Sequence, residues 1–110
     1  GCGGDRDKGK RLEMGKVASS LCDIIILSDD NPRTEKSMKI INEINKGISE
    51  SKKVYRIANR RNAIKKSIKL SNPGDIVVIA GKGNEETIDY GKKIIIHNDI
   101  RCVKKLINEN

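Results

Sequence analysis

Two continuous runs of aliphatic residues constrain the fold of this chain most. Residues 23–27 read DIIIL and residues 76–80 read IVVIA, and each run has the length of a β-strand. A strand that is apolar at consecutive positions is buried on both faces, which is typical of parallel sheets covered by helices. The two runs therefore predict an α/β fold rather than an antiparallel sheet with one solvated face.

Segments with helical periodicity alternate with these strands. Apolar residues recur every three or four positions over residues 10–22, 35–48, 60–70 and 99–108, which predicts amphipathic helices. In the first segment the predicted core-facing stripe consists of Met14, Val17, Ala18 and Leu21. In the second it consists of Met38, Ile41, Ile44 and Ile48, and in the third of Ile64 and Ile68.

The alternation of strands and helices predicts the topology. Shorter strands are expected at residues 54–57 and 94–96, the latter after a hairpin turn at residues 90–93. Strands that alternate with helices over short loops form βαβ units. We therefore expect one domain over residues 1–110, with a Rossmann-like, mostly parallel open sheet and flanking helices. Because the glycine-rich segment 1–11 opens the first helix, a further strand is expected just upstream of Gly1, missing from this fragment.

Three loops rich in glycine and charge lie where such a sheet binds ligands, beyond the carboxyl ends of its strands. They are residues 1–11 (GCGGDRDKGKR), 29–35 (DDNPRTE) and 81–86 (GKGNEE). Together they gather side chains of both charge signs: Arg6, Asp30, Asn31, Arg33, Lys82 and Glu85. Pro32 stiffens the second loop, and Thr34 is expected to cap the helix that follows.

The mixture of charges at this edge indicates the chemistry of a ligand. Arginine binds a carboxylate through paired N–H donors, whereas acidic and amide side chains accept from an ammonium group. A zwitterionic amino acid requires both kinds of partner. Since more charges are present than one amino acid needs, a diamino-dicarboxylic acid is a plausible ligand.

Composition bears on the other classes of function. The net charge of +8 suggests a polyanion partner, but lysines are spread along the chain and only two tyrosines could stack on bases, so nucleic-acid binding is not favoured. A basic module centred on the helix at 60–70 is kept as an alternative. Three cysteines without a C-x-x-C motif fit a reduced, cytoplasmic protein, and His97 is the only histidine, so no metal site is expected. No apolar run is long enough to span a membrane.

The first loop comes close to a nucleotide-binding motif. Residues 4–10 (GDRDKGK) satisfy G-x-x-x-x-G-K, but Arg11 follows where a P-loop has the Ser or Thr that holds Mg²⁺. Free N–H groups in a glycine-rich segment that opens a helix still attract anions. The chain is therefore not expected to be an NTPase by itself.

The three loops resemble the motifs of the C-terminal domain of the Mur ligases. The resembling stretches are GCGGDRDKGKR (1–11), DNPR (30–33) and GKGNE (81–85), and the resemblance covers the whole chain in the same order. It implies a three-domain enzyme in which ATP and Mg²⁺ bind the central domain and the UDP-sugar peptide binds the N-terminal one. ATP phosphorylates the substrate carboxylate and an amine then attacks the acyl phosphate. Catalytic residues are expected in the missing central domain, so the fragment alone should be inactive and hold no cofactor.

The DNPR sequence is the form that this resemblance links to meso-diaminopimelate as the incoming amino acid. It implies addition of that amino acid to UDP-N-acetylmuramoyl-L-alanyl-D-glutamate in peptidoglycan precursor synthesis, a cytoplasmic reaction. It assigns Arg33 to the distal carboxylate of the ligand, with Asp30 and Asn31 beside it. The other residues that it implies are Arg6 for a carboxylate, Gly81 and Glu85 for the distal ammonium region, and Asp5 and Lys10 near the nucleotide.

Some alternatives within the same fold remain open. The ligand could be L-lysine or another diamino acid, although the lysine-using members usually lack arginine at the position of Arg33. A folate-polyglutamate or cyanophycin-type ligase is disfavoured by the first two motifs. The chain departs from the family pattern at Asn84, where the motif has His, and at Leu12, where it has Pro.

Overall fold

The computed structural model describes residues 1–109 and has α/β architecture. In chain order the elements are α1 (Gly9–Leu21), β1 (Ile24–Leu27), α2 (Ser37–Asn45), β2 (Lys53–Arg56), α3 (Arg60–Leu70), β3 (Thr87–Asp89), β4 (Ile94–Ile96) and α4 (Asp99–Asn108). Strands β1 and β2 pair in parallel with Ile24 opposite Lys53, whereas β3 and β4 form an antiparallel hairpin. The parallel pair with flanking helices confirms the predicted fold class.

Isoleucine side chains from β1 and α2 form the main core. Its buried members are Ile25, Leu27, Ile40, Ile41, Ile44 and Ile48. Of the predicted inner face of the second helix, Ile41 and Ile44 in α2 and Ile48 just beyond it are buried, whereas Met38 is exposed. Because the core is aliphatic and small, the loops above it depend on polar contacts for their positions.

The predicted core-facing stripe of α1 is wrong at three of its four positions. Met14, Val17 and Leu21 are exposed, Ala18 is half-buried against the main core, and Arg11 and Gly15 are buried instead. The reason is a close backbone approach between helices: a Cβ on Gly15 would lie 2.0 Å from the carbonyl oxygen of Ile44. Helix α1 therefore packs on α2 through its glycine face, and its apolar stripe is left uncovered.

The predicted buried strand at residues 76–80 is also wrong. This segment pairs with no strand in the described part of the chain, and Ile76 is 89% exposed. Strand β1 is also not buried throughout, since Ile25 and Leu27 are buried whereas Ile24 is exposed. A groove lies between the two apolar runs, so their facing edges are not paired with each other.

The remaining predictions concern the ends of elements. Helices α3 and α4 occupy the predicted segments, and asparagine side chains cap both: Asn59 accepts from the N–H of Asn62, and Asn98 from that of Arg101. The hairpin turn at 90–93 is confirmed, although β3 before it was not predicted. The predicted cap by Thr34 is wrong, since α2 begins after Lys36 without a side-chain cap.

Helices within residues 1–109 are all too short or too polar to cross a membrane.

Replacing Gly15 by alanine tests the packing of α1 on α2. The added methyl group would collide with the backbone of Ile44, so we expect a loss of about 1–3 kcal/mol in the free energy of unfolding. Lys16→Ala on the exposed side of the same helix is the control and should change stability little. Urea denaturation measures both. In an uncrowded helix Gly→Ala would stabilise by up to about 1 kcal/mol, so a stabilised Gly15→Ala variant would contradict the close approach.

Candidate functional site

The first and second of the three loops are packed backbone against backbone at the carboxyl end of β1. The N–H of Gly4 donates to the carbonyl oxygen of Asn31 at 2.7 Å. A Cβ on Gly4 would lie 1.7 Å from the carbonyl oxygen of Pro32, and Pro32 itself is fully buried. Only glycine fits at position 4, so the motif 1–11 is fixed directly on the DNPR turn.

Asn31 connects the DNPR turn to the rest of the edge. Its Oδ1 accepts from Lys82 Nζ at 2.9 Å and from the backbone N–H of Asp89 at 2.9 Å. Its Nδ2 donates to Glu85 Oε1 at 3.2 Å. One amide therefore holds the third loop and the β3 strand against the second loop, which gives this side chain a structural role.

The ammonium group of Lys82 occupies the acidic half of the site. The Lys82 side chain is completely buried, and its Nζ donates to Asp30 Oδ1 at 3.3 Å and to Glu85 Oε1 at 3.2 Å as well as to Asn31. Several acceptors are what a desolvated charge requires. Asn31 and Lys82 together hold the pKa of Glu85 below its usual range. Glu85 remains 49% exposed, so it can accept from a second cation on its solvent side.

Arg33 and Arg6 form the basic half of the site, and both lie beside Gly3. A Cβ on Gly3 would lie 2.8 Å from Arg33 Nη1 and 3.4 Å from Arg6 Cγ. Arg33 is half-buried and its Nη1 donates to the carbonyl oxygen of Gly4 at 2.9 Å. Its backbone has φ of 54°, a conformation that few side chains adopt, and its N–H donates to Asp89. The guanidinium is thus held by loop 1–11 and the Arg33 backbone by β3, and the guanidinium has further N–H donors for a ligand.

Of the other predicted site residues, two lie at the site and one does not. Gly81 lies at the edge, where a Cβ would come within 3.0 Å of Asp30 Oδ2. The Asp5 carboxylate accepts from the hydroxyl of Thr34 at 2.5 Å and from its N–H at 3.2 Å, and these bonds lower the pKa of Asp5. Asp5 therefore joins two loops, whereas Lys10 is exposed on the first turn of α1 and is not brought to the cluster.

Arg11 is a structural residue that the sequence did not reveal. Its side chain is 1% exposed, and its guanidinium contacts Glu35 at 2.6 Å and Glu43 at 2.5 Å. It also donates to the carbonyl oxygen of Gly3 at 3.3 Å. The only sequence signal was the acidic residue at the end of DDNPRTE. The ion pair ties the first loop to the segment before α2.

The ion pairs of Arg11 bear on whether loop 1–11 could bind ATP with Mg²⁺. Arg11, which stands where a P-loop hydroxyl would hold the ion, is directed into internal ion pairs. Within residues 1–109 no group of three or more His, Cys, Asp or Glu side chains could hold a metal ion. The described residues therefore do not fit a nucleotide–metal site of their own.

Asp29, to which the sequence assigned no role, belongs to a buried network beneath the site. Its Oδ2 accepts from the Tyr90 hydroxyl at 2.7 Å, and burial together with this bond raises the pKa of Tyr90. Arg60 donates to the carbonyl oxygen of Asp29 at 2.9 Å and to that of Ala80 at 3.2 Å. The Asp99 carboxylate accepts twice from Arg60, at 2.8 and 2.7 Å. Arg60 had been read only as part of a basic helix.

The sequence that forms this sheet edge matches a known protein family. The family model described as "Mur ligase, glutamate ligase domain" matches residues 1–83. The chain therefore belongs to the Mur ligase family.

Relatives within the family carry specific names. The chain is 44% identical over 110 residues to the UDP-N-acetylmuramoyl-L-alanyl-D-glutamate--2,6-diaminopimelate ligase of Alkaliphilus metalliredigens, covering 99% of the chain and 22% of the relative. It is 46% identical over 107 residues to the enzyme of the same name from Aquifex aeolicus, covering 97% and 22%. A solved structure of a ligase of this name matches with a TM-score of 0.92 at 39% identity, over 99% of the chain and 23% of that structure. The chain thus spans about a fifth of the length of the relatives that it matches.

Acid should weaken the tie between the first loop and α2. Arg11 and the N–H of Asp5 lower the pKa of Glu35 from 4.5 to about 2. Because the folded pKa is the lower one, the pair stabilises the fold fully above the unfolded pKa, and this stabilisation is lost as pH falls from 4.5 towards 2. We expect Glu35→Gln to be less stable than wild type at pH 6, with the difference shrinking across that window.

Urea denaturation at several pH values between 6 and 2 measures this effect. Glu50→Gln is the control, since this substitution removes the same charge from an exposed residue. A difference between wild type and Glu35→Gln that stays constant from pH 6 to pH 2 would exclude the ion pair as its cause.

Proposed function

We propose that this chain is the amino-acid-binding domain of an ATP-dependent ligase. The longer enzyme adds meso-diaminopimelate to UDP-N-acetylmuramoyl-L-alanyl-D-glutamate. The observation that carries the proposal is the pairing of two arginines beside Gly3 with an acidic and amide cluster on the same sheet edge. The names of the relatives support the same substrate.

The basic half suits the carboxylates of the ligand. The guanidinium of Arg33 donates to the carbonyl oxygen of Gly4, and the Arg33 backbone N–H donates to Asp89. Both bonds reduce the freedom of the side chain before a ligand binds, so less conformational entropy is lost on binding. We assign it to the distal carboxylate of diaminopimelate, with Arg6 binding a carboxylate from the exposed side. Bidentate contact between guanidinium and carboxylate would give this subsite its selectivity.

The acidic half suits the distal ammonium group. Asp30 and Glu85 carry two negative charges against the single ammonium of Lys82, so the cluster retains one unbalanced negative charge. Gly81, with φ of 114°, allows close approach of the chain beside Asp30. We assign the distal ammonium of the ligand to the solvent side of Glu85, near Gly81, with Asp30 and Asn31 holding the cluster together.

We assign ATP and Mg²⁺ to other parts of the longer enzyme, because loop 1–11 of this chain does not fit them. We assign the binding site of the UDP-linked dipeptide to those other parts as well. The residues described here then have one task, to hold and orient the incoming amino acid at the mouth of the site. The isolated chain is expected to bind amino acid without ligating it.

Other ligands agree less well with the geometry. L-Lysine has no distal carboxylate and would leave Arg33 without a partner. Single-stranded nucleic acid binds where bases stack on exposed aromatic rings, but the Tyr55 ring already has the Nζ of Lys66 at 5.0 Å and that of Lys53 at 5.8 Å from its centre. The polyanion alternative is therefore not favoured.

Substitution of Arg33 in the full-length ligase tests this assignment. Arg33→Asn is suited because asparagine tolerates positive φ, so the turn is preserved while the guanidinium is lost. We expect kcat/KM for meso-diaminopimelate to fall by about 100-fold or more, as when one partner of a buried pair is removed, while the KM for ATP changes little. Steady-state kinetics measures both.

Arg61→Ala is the control for this experiment. Arg61 is an exposed residue of α3 whose contact with Glu109 is long, at 3.8 Å, so its loss should leave both substrates unaffected. Unchanged kcat and KM for diaminopimelate in Arg33→Asn would remove Arg33 from the site. An equal loss for both substrates would indicate general damage to the enzyme.

A further inference from the structure

The turn of the β3–β4 hairpin packs on the backbone of Arg33. The N–H of Arg33 donates to the carbonyl oxygen of Asp89 at 2.9 Å. A Cβ on Gly91 would lie 2.7 Å from the carbonyl oxygen of Arg33 and 3.0 Å from its carbonyl carbon. Both peptide groups of Arg33 therefore meet the hairpin, and the approach is so close that only glycine fits at position 91.

The backbone of Arg33 requires support of this kind. Its φ of 54° lies in the left-handed region, where a Cβ is crowded by the neighbouring carbonyl oxygen. Such a conformation persists only where the surrounding structure holds it. Because φ and ψ fix the direction of the Cα–Cβ bond, an ordinary φ at this position would turn the guanidinium away from Gly3 and Gly4. The contact with the hairpin therefore bears on where the guanidinium lies.

The hydroxyl of Tyr90 attaches the hairpin turn to the end of β1. It donates to Asp29 Oδ2 at 2.7 Å. Asp29 is buried, and two hydrogen bonds hold its backbone: its N–H donates to the carbonyl oxygen of Ala58 at 3.0 Å, and its carbonyl oxygen accepts from Arg60 at 2.9 Å. The Asp29 carboxylate is therefore a fixed point of attachment, in the same loop as Arg33.

Hydrogen bonds within the turn connect Tyr90 to the two residues that touch Arg33. The N–H of Gly91 donates to Asp89 Oδ1 at 2.8 Å, and the N–H of Tyr90 donates to the carbonyl oxygen of Lys93 at 2.9 Å. The turn is thus stiff, and a displacement of the tyrosine would move its neighbours with it.

We propose that Tyr90 is a positioning residue for the carboxylate subsite. Its hydrogen bond to Asp29 keeps the hairpin turn on the Arg33 backbone and so orients the guanidinium towards the distal carboxylate of the amino acid. Tyr90 acts through Arg33 and not on the ligand, so this inference rests on the proposed function of Arg33. Burial and the bond to Asp29 raise the pKa of Tyr90, because both disfavour the phenolate, and the hydroxyl therefore remains a donor at neutral pH.

Tyr90→Phe in the full-length ligase tests the proposal, because it removes only the hydroxyl oxygen. We expect kcat/KM for meso-diaminopimelate to fall by about 10-fold, as for the loss of one hydrogen bond to a charged group, and the KM for ATP to stay unchanged. Tyr55→Phe is the matched control, since Tyr55 is a half-buried tyrosine on β2. It should leave both values unchanged in steady-state kinetics.

A double-mutant cycle separates positioning of Arg33 from a general structural role. Tyr90→Phe is introduced into the Arg33→Asn ligase, in which no guanidinium is left to orient. A residue that acts through Arg33 should cause no further loss of kcat/KM in that background. The same 10-fold loss in both backgrounds would overturn the proposal. An equal loss in the use of ATP, or wild-type kinetics of Tyr90→Phe alone, would also overturn it.

Gly91→Ala displaces the hairpin turn from Arg33 by another route, and it decides if Tyr90→Phe does not fold. The added methyl group would collide with the carbonyl oxygen of Arg33, so kcat/KM for diaminopimelate should again fall while the KM for ATP stays unchanged. Gly74→Ala is its control, because Gly74 also has a positive φ, 94° against 79°, but nothing lies within 4 Å of the added Cβ. Equal kinetics of the two variants would overturn the proposal.

Failure of this inference can be told from failure of the proposed function. If Arg33 does not bind the ligand, Arg33→Asn leaves the use of diaminopimelate unchanged, and the role of Tyr90 falls with it. If only the positioning role is wrong, Arg33→Asn still lowers kcat/KM, whereas Tyr90→Phe and Gly91→Ala behave like their controls.

Discussion

The guanidinium of Arg60 joins four parts of the molecule below the candidate site. It donates to the carbonyl oxygen of Asp29, just after β1, and to that of Ala80, at the end of the 76–80 run, and it forms an ion pair with Asp99 at the start of α4. Burial opposes the charge of Asp99, but Arg60 and His97 outweigh it and lower the pKa of that carboxyl. The positions of Asp30 and Lys82, each within two residues of an Arg60 contact, follow from this one side chain. The site therefore depends on a buried cation that is itself remote from solvent.

The charged side chains at this end of the sheet fall into a buried group and a solvent-exposed group. Arg11, Arg60 and Lys82 are buried and are bound to carboxylates of the chain itself. Breaking such a pair leaves an unpaired buried charge, which is strongly destabilising. Arg6, Arg33 and Glu85 retain exposure to solvent and are available to a ligand. The buried charges fix the loops, and the exposed ones are those that we assign to the ligand.

Features with local signals could be predicted from the sequence. Periodicity located the helices, and the run DIIIL located β1 next to the loops that carry the site. The buried face of α1 could not be predicted, since it is set by the approach of Gly15 to a backbone carbonyl in another helix. The strand at 76–80 was predicted from composition alone, but strand formation requires a hydrogen-bonded neighbour. The roles of Arg11 and Arg60 were missed because their carboxylate partners lie 24 to 39 residues away in sequence.

The comparison of two ligands tests the central claim, that the edge recognises both ends of a diamino-dicarboxylic acid. Titration calorimetry of the full-length protein would compare meso-diaminopimelate with L-lysine, which differs by lacking the distal carboxylate. We predict that diaminopimelate binds about 100-fold or more tightly, because lysine lacks the distal carboxylate that the half-buried Arg33 guanidinium would bind. Equal dissociation constants for the two amino acids would contradict the assignment of the basic half of the site.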